Sequence, residues 1–359
     1  MRSRHLIRWG RLVPGAAFVA LVLSACGQVG NPAPSAFPSS VSRGGAHVSQ
    51  QYLFVNNRVN STQSLISFYN IRTPNKESGS IPTGNLYSIL ASGPDGNVYA
   101  GQDGYKLHSV VAVYDGKNGT LLRTITRGVA YVLALALDQS GTLYVANRQS
   151  VTIYPNGQSK HMRKIVTYPK AQITGIAVDP IGDLYVATYS QIYVYATGSN
   201  TPKEVITSNV YDVQALGLDT SGNLFVSSIP QNSSCGEVAV FNPGQTAPAY
   251  VIPAAENACV WYSFAAAPNG NMYAVTGGQN GIETISAYAY GQTSPALVIN
   301  RGLDDPSSIL FDAGGNLYVA DYGKSEIQVY SPGQTKAGRK ITEGISGPGS
   351  MSISSASKE

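Results

Sequence analysis

A phrase repeated six times, four short apolar runs in each interval, and runs apolar on both faces together predict an all-β chain. The arrangement expected is a seven-bladed β-propeller of four-stranded antiparallel blades, closed by pairing the C-terminal strand with the N-terminal blade; six blades is the alternative. The phrases are DGNVYAG (95–101), SGTLYVAN (140–147), IGDLYVAT (181–188), SGNLFVSS (221–228), NGNMYAVT (269–276) and GGNLYVAD (314–321). Their leading apolar residues, Val98, Leu143, Leu184, Leu224, Met272 and Leu317, stand 45, 41, 40, 48 and 45 residues apart.

Within one interval, Ile173–Val178, Leu184–Ala187, Ile192–Tyr195 and Glu204–Ile206 read as four strands, because they are rich in Val, Ile and Tyr and are separated by Gly, Asn, Asp and Pro. The glycine ahead of each Leu-Tyr pair supplies the positive φ of a tight hairpin. Stretches such as LYVA lack the alternation of a half-exposed strand, so each sheet is covered on both faces by its neighbours. A ring achieves this with short, protected edges, whereas an open solenoid needs polar caps that the sequence lacks.

The chain ends set the count. Leu53-Phe54-Val55 matches a second strand, but Gln51 stands where the hairpin glycine belongs, so its first strand comes from elsewhere. Ser350–Ser354 fits a lone first strand, which gives seven blades over residues 49–354, about 44 residues each.

Residues 1–25 read as a signal peptide: Arg2, Arg4, Arg8 and Arg11 precede 14 uncharged, mostly apolar residues, too few to span a bilayer. Leu23-Ser24-Ala25-Cys26 resembles the bacterial lipobox, which implies diacylglycerol on Cys26 and a bilayer as the first partner. Gly27 implies, by the same resemblance, the outer membrane if the organism has one. Residues 26–48 form a Gly-, Pro- and Ser-rich tether, and residues 355–359 a short tail. The address is therefore the cell envelope, facing the periplasm or the outside.

Charge excludes a class of partner. Without the four leader arginines, 20 Lys and Arg face 20 Asp and Glu, and no basic stripe interrupts the repeat. A nucleic-acid footprint is absent, and a monomer is expected.

The stretch GGNLYVADYGKSEIQVYSPG (314–333) resembles the NHL repeat, and LYVANRQSVTIYPNG (143–157) is similar to it. VVAVYDGKNGTLLRTI (110–125) is closer to the repeat of quinoprotein-type propellers. The resemblance implies the ring, not an activity, since NHL-like rings include lyases, lactonases, signalling platforms and binding modules. Amidating lyases of this kind hold zinc through histidines, but beyond the leader the chain has only His47, His108 and His161. A streptogramin-lyase-like site needs a His and Glu pair near magnesium, and a gluconolactonase-like site needs Glu, Asn and Asp at the channel mouth.

No catalytic residue is assigned from sequence and no cofactor is required. Asp304, Asp305 and Asp321 fall on loops of one face and are the candidate ligands of a divalent cation; acids before Pro306 are also ordinary turn formers. Cys235 and Cys259 precede strands that start at the same end of adjacent blades, so an exported chain is expected to join them in a disulfide, worth about 3 kcal/mol for a loop of about 25 residues. Two free buried thiols are the other reading. Tyr99, Tyr144, Tyr185, Tyr273 and Tyr318 recur with the repeat and belong to the core. The off-pattern residues Tyr131, Arg148, Tyr189, Tyr211, Trp261 and Tyr322 are the candidate binding surface, since exposed aromatics beside polar groups suit sugars and peptides.

The function expected is a membrane-anchored, noncatalytic propeller that binds a protein, peptide or glycan. The alternative is an extracytoplasmic lyase or lactonase with a divalent cation in the channel.

Overall fold

The computed structural model describes residues 50–354, except 61–62, 74, 84–87, 103–108, 156–157, 161–162, 167–170, 232, 234, 254–257 and 279–282; the side chains of 88, 258–262 and 278 are also outside the description. The described residues form 28 strands, β1 to β28 in chain order, in seven four-stranded antiparallel sheets and no helix. The innermost strands are β4 (Ser88–Ser92), β8 (Ala134–Leu137), β12 (Ile173–Val178), β16 (Val213–Leu218), β20 (Ala258–Ala266), β24 (Pro306–Phe311) and β28 (Pro348–Ile353). Each adjoins the next and β28 adjoins β4, so the ring is closed.

Closure follows the expected route. The first blade has the order β28, β1 (Tyr52–Arg58), β2 (Ser64–Asn70), β3 (Glu77–Pro82). Leu53 pairs with Ile353, Phe54 with Ser352 and Val55 with Met351. Gln51 donates its side-chain amide to the Ser354 carbonyl at 3.3 Å, and the Ser354 N–H donates to the Tyr52 carbonyl at 2.9 Å. The two ends thus meet where other blades have a hairpin. Leu53, Phe54, Val55 and Met351 are fully buried, each worth about 1.5–3 kcal/mol of apolar burial.

Strand direction assigns every loop to a face. Loops after the second and fourth strands of a blade lie on one side, called the front; those after the first and third lie on the rear. On the rear, the hairpin glycines Gly96, Gly141, Gly182, Gly222, Gly270 and Gly315 have φ of 78–91°, the conformation that the repeat demands of them. The aspartate three residues earlier holds most of these turns. Asp138 accepts the amides of Ser140 (2.9 Å) and Thr142 (2.8 Å), Asp179 those of Ile181 (3.0 Å) and Asp183 (2.8 Å), and Asp219 those of Ser221 and Asn223 (both 2.9 Å).

The recurrent tyrosines are core, as expected, and they also tie the rear together. Tyr99, Tyr144 and Tyr318 are buried and donate their hydroxyls to Asp95 (3.0 Å), Asp138 (3.3 Å) and Asp312 (3.2 Å). Arg123 and Arg339 from outer strands lie over the rings of Tyr99 and Tyr318 at 5.9 Å.

Candidate front-face binding surface

Front loops are gripped from beneath by a second recurring device, built from the last inward residue of a second strand and two residues of the third. In the third blade, Asn147 ends β9 (Leu143–Asn147), and its side-chain oxygen accepts the Ala130 N–H at 2.7 Å while its amide donates to Thr152 at 3.0 Å. Thr152 donates to the Gly128 carbonyl at 2.8 Å, and Tyr154 to the Arg127 carbonyl at 2.6 Å. In the first blade, Asn57 and Ser67 donate to the Gly344 carbonyl (3.2 and 3.1 Å), and Tyr69 to the Glu343 carbonyl (2.7 Å). In the last, Asp321 accepts the Asp304 N–H at 3.2 Å and the Gln328 amide at 2.6 Å, and Tyr330 donates to Gln328 at 2.7 Å. All of these polar side chains are buried, so each left unpaired would cost about 1–3 kcal/mol. The clasp instead spends them on the loop that leads into its own blade.

This gives Asp321 a structural place that the sequence reading did not foresee. It is fully buried at the position that Asn57 and Asn147 occupy elsewhere, with Lys324 at 3.8 Å. Burial raises its carboxyl above the usual aspartate range, against the pull of Lys324 and the amides that donate to it. Asp304 and Asp305 are exposed, and the Asp305 N–H donates to Glu283. Glu283 is raised first by burial and then by the neighbouring charges of Asp305, Asp304 and Asp321. Among the described residues, no group of three or more His, Cys, Asp or Glu side chains is arranged to hold a metal ion.

Above the clasps stands the aromatic set. Tyr131 is 49% exposed, Tyr189 51%, Tyr211 37% and Tyr322 36%, against 8% or less for the core tyrosines. Tyr189, Tyr322 and exposed Arg148 are each the first residue after a clasp position. The carbonyls of Arg148 and Tyr189 accept the N–H of Ile173 (2.9 Å) and Val213 (3.1 Å), the opening residues of the next inner strands, which sets them beside the channel mouth. Tyr211 lies two residues ahead of Val213, the first residue of β16 (Val213–Leu218), and Tyr131 three ahead of Ala134, the first residue of β8, so both sit on the loops that lead into an inner strand. Tyr131 holds φ 60°, costly for a bulky residue, and donates its N–H to Ser109 at 2.8 Å. Of the five non-glycine residues with positive φ among the described residues, Tyr131, Asn209, Asp305 and Ser325 are on the front and Asn75 on the rear.

Trp261 differs from the expectation of a strand-end residue. It pairs with Thr276 inside β20, and its side chain lies outside the described residues. Cys235 stands in the front turn before β18 (Glu237–Phe241), as expected, whereas Cys259 is the second residue of β20 rather than its predecessor. The Cys259 side chain, His108, the leader, the tether and the tail also lie outside the described residues.

The channel wall has its own chemistry. The seven innermost strands carry no Asp, Glu, His, Lys or Arg. Carboxylate, imidazole and basic groups near the axis therefore come from the loops. Around the front, exposed Arg58, Arg127, Arg148, Arg301 and Lys324 are mixed with exposed Asp212, Asp304, Asp305 and Glu343, so among the described residues no single sign dominates.

Comparison with solved structures agrees with the architecture. The hydrazine synthase of Kuenenia stuttgartiensis is similar over 67% of this chain and 75% of its own, with a TM-score of 0.57 and 17% identity. The β-propeller domain of Cps50 (Swd1) from Myceliophteria thermophila is similar over 74% of this chain and 89% of its own, with a TM-score of 0.58 and 14% identity. No family model matches the sequence, and no curated protein matches it. At these identities the likeness shows the fold, and the chain is a seven-bladed β-propeller.

Proposed function

We propose that this chain is a lipid-anchored, extracytoplasmic propeller of NHL-like repeats that binds a protein, peptide or glycan on its front face without catalysing a reaction. The observation that carries the reading is the contrast between four exposed tyrosines on front loops and innermost strands that carry no Asp, Glu, His, Lys or Arg. Aromatic rings on rigid loops offer contact area at low entropic cost, and the mixed surrounding charge favours a largely neutral partner.

The leader arginines and the lipobox-like residues before Cys26 support the anchor. Because β1 starts on the rear, a tether joined at Gln51 leaves from the face opposite the tyrosines, and about 22 flexible residues reach roughly 25 Å. The front then points away from the lipid. The places of Cys235 in the turn before β18 and of Cys259 near the start of β20 support the expected disulfide, which would fasten a front loop to the neighbouring blade.

The anchor is tested by labelling growing cells with a fatty acid: wild type takes up label and Cys26→Ser does not. The front face is tested by crosslinked capture from intact cells with wild type and with Tyr131, Tyr189, Tyr211 and Tyr322 all changed to Ser. Equal capture by both removes the reading, and stoichiometric calcium or magnesium in the purified protein would move it toward the lyase or lactonase alternative.

A further inference from the structure

The rear face has one feature that the repeat does not explain. Beside the closure seam lies an open recess of about 640 Å³, lined among others by Gln51, Arg72, Asn316, Tyr318, Ser331 and Arg339. That size is in the range of small-molecule sites. It lies between the first blade, which has two chain ends where the other six have a hairpin, and the last.

Its charge is unbalanced. Two arginines, Arg72 and Arg339, line it with one carboxylate, Asp312, whose oxygens accept from the Asn316 N–H (2.9 Å), the Asn316 side-chain amide (2.8 Å) and the Tyr318 hydroxyl (3.2 Å), so positive charge is in excess. Arg339 donates from one terminal nitrogen to the Ile71 carbonyl across the seam at 2.9 Å and from the other to the Tyr318 hydroxyl at 3.4 Å, and it lies over the Tyr318 ring, which fixes its planar fork and leaves the second hydrogen of each nitrogen for a ligand. Its counterparts Arg123 and Arg163 bury their Nε atoms inside the ring, whereas Arg339 lines open space. Arg72 is exposed on the opposite wall. Among the described residues neither arginine is ion-paired.

We infer that this seam recess binds a small organic oxyanion, a sugar carrying a carboxylate or phosphate, with Arg72 and Arg339 on the charged group and the polar walls around its hydroxyls. Guanidinium matches either oxyanion with two parallel N–H donors, and a fixed fork loses little entropy on binding.

The test is calorimetric titration of the purified full-length protein at low salt with glucuronate, glucose 6-phosphate and glucose. At least one charged sugar should bind tenfold or more tighter than glucose, and the tighter of the two identifies the oxyanion. Arg72→Gln, on an exposed turn, should keep the thermal transition and weaken that binding by about tenfold, the scale of one charge-assisted hydrogen bond. Arg339→Lys keeps the charge, loses the fork, and should fall between. Equal binding of all three sugars, no binding of either anion, or unchanged affinity in a folded Arg72→Gln would overturn the inference. The recess is on the face opposite the tyrosines, so its titration is read independently of front-face capture.

Discussion

Front and rear of the ring come from the same repeat but use it differently. Rear hairpins keep one solution from blade to blade: a glycine at positive φ, an aspartate holding the turn, and in several blades a tyrosine hydroxyl on that aspartate. Front loops keep only their roots. The polar clasp beneath them changes from Asn to Asp, and the loops between second and third strands run from two residues (148–149) to eight (229–236). Among the described residues, four of the five non-glycine positions with positive φ are also here. Strain of this sort persists only where surrounding structure enforces it, and it gathers at working surfaces. The repeat thus spends its regularity on the rear and its variation on the front.

The harshest way to break that division is alkali, which treats both faces alike. Burial holds the rear tyrosines Tyr99, Tyr144, Tyr185 and Tyr318 well above the usual phenol range, and among the clasp tyrosines Tyr154 and Tyr330 are pushed up to about 12. The folded state keeps these protons after the unfolded chain has lost them near pH 10, so stability falls as pH rises above about 10. Tyrosinate absorbance from the buried set should appear together with loss of sheet signal; ionisation with the sheet intact would contradict the buried hydroxyl ties.

Closing the ring comes next in magnitude. Met351 is fully buried against Leu53, Val55 and Leu310, so Met351→Asp places a charge in the seam and should cost about 4 kcal/mol or more in denaturant unfolding. A cost below about 1 kcal/mol would mean the seam is not core.

Single substitutions then separate the faces. Asp219→Ala removes a rear turn and should cost about 1–3 kcal/mol, whereas Tyr189→Ser on the front should stay within about 0.5 kcal/mol. Similar costs would erase the contrast.

The smallest effect is acidic. Burial raises Asp321 and Glu283, so the folded state holds their protons more tightly than the unfolded chain does. Their stabilising share is full below the unfolded values, near 4, and is lost as pH rises through the folded ones. Lowering pH from neutral toward the unfolded values near 4 should favour the folded state through these two groups, and Asp321→Asn, the residue that Asn57 and Asn147 present in the same place, should flatten the pH dependence of the melting temperature.

How far sequence reaches follows the same division. The four strands from Ile173 to Ile206 are legible almost to the residue because alternating composition and a turn glycine mark both ends. The route of closure is legible too, since Gln51 in place of glycine announces a missing hairpin partner. The clasp is not, because Asn57, Asn147 and Asp321 read as ordinary loop polars until pairing shows them buried. Asp321 reads as a candidate cation ligand, and its place in the loop tie has no signal of its own. The signal available was a polar residue closing an apolar run at every repeat. Exposure of Tyr131, Tyr189, Tyr211 and Tyr322 was legible only as departure from the repeat, and the seam recess, made by chain ends from distant positions, left no local trace.

The most direct measurement is capture of crosslinked material from intact cells by three proteins matched for melting temperature: wild type, the four-tyrosine front variant, and a rear variant with Ile181→Ser, whose side chain is 79% exposed. The account predicts that the rear variant holds what wild type holds and the front variant does not. Retention by the front variant, with loss in the rear variant, would contradict it.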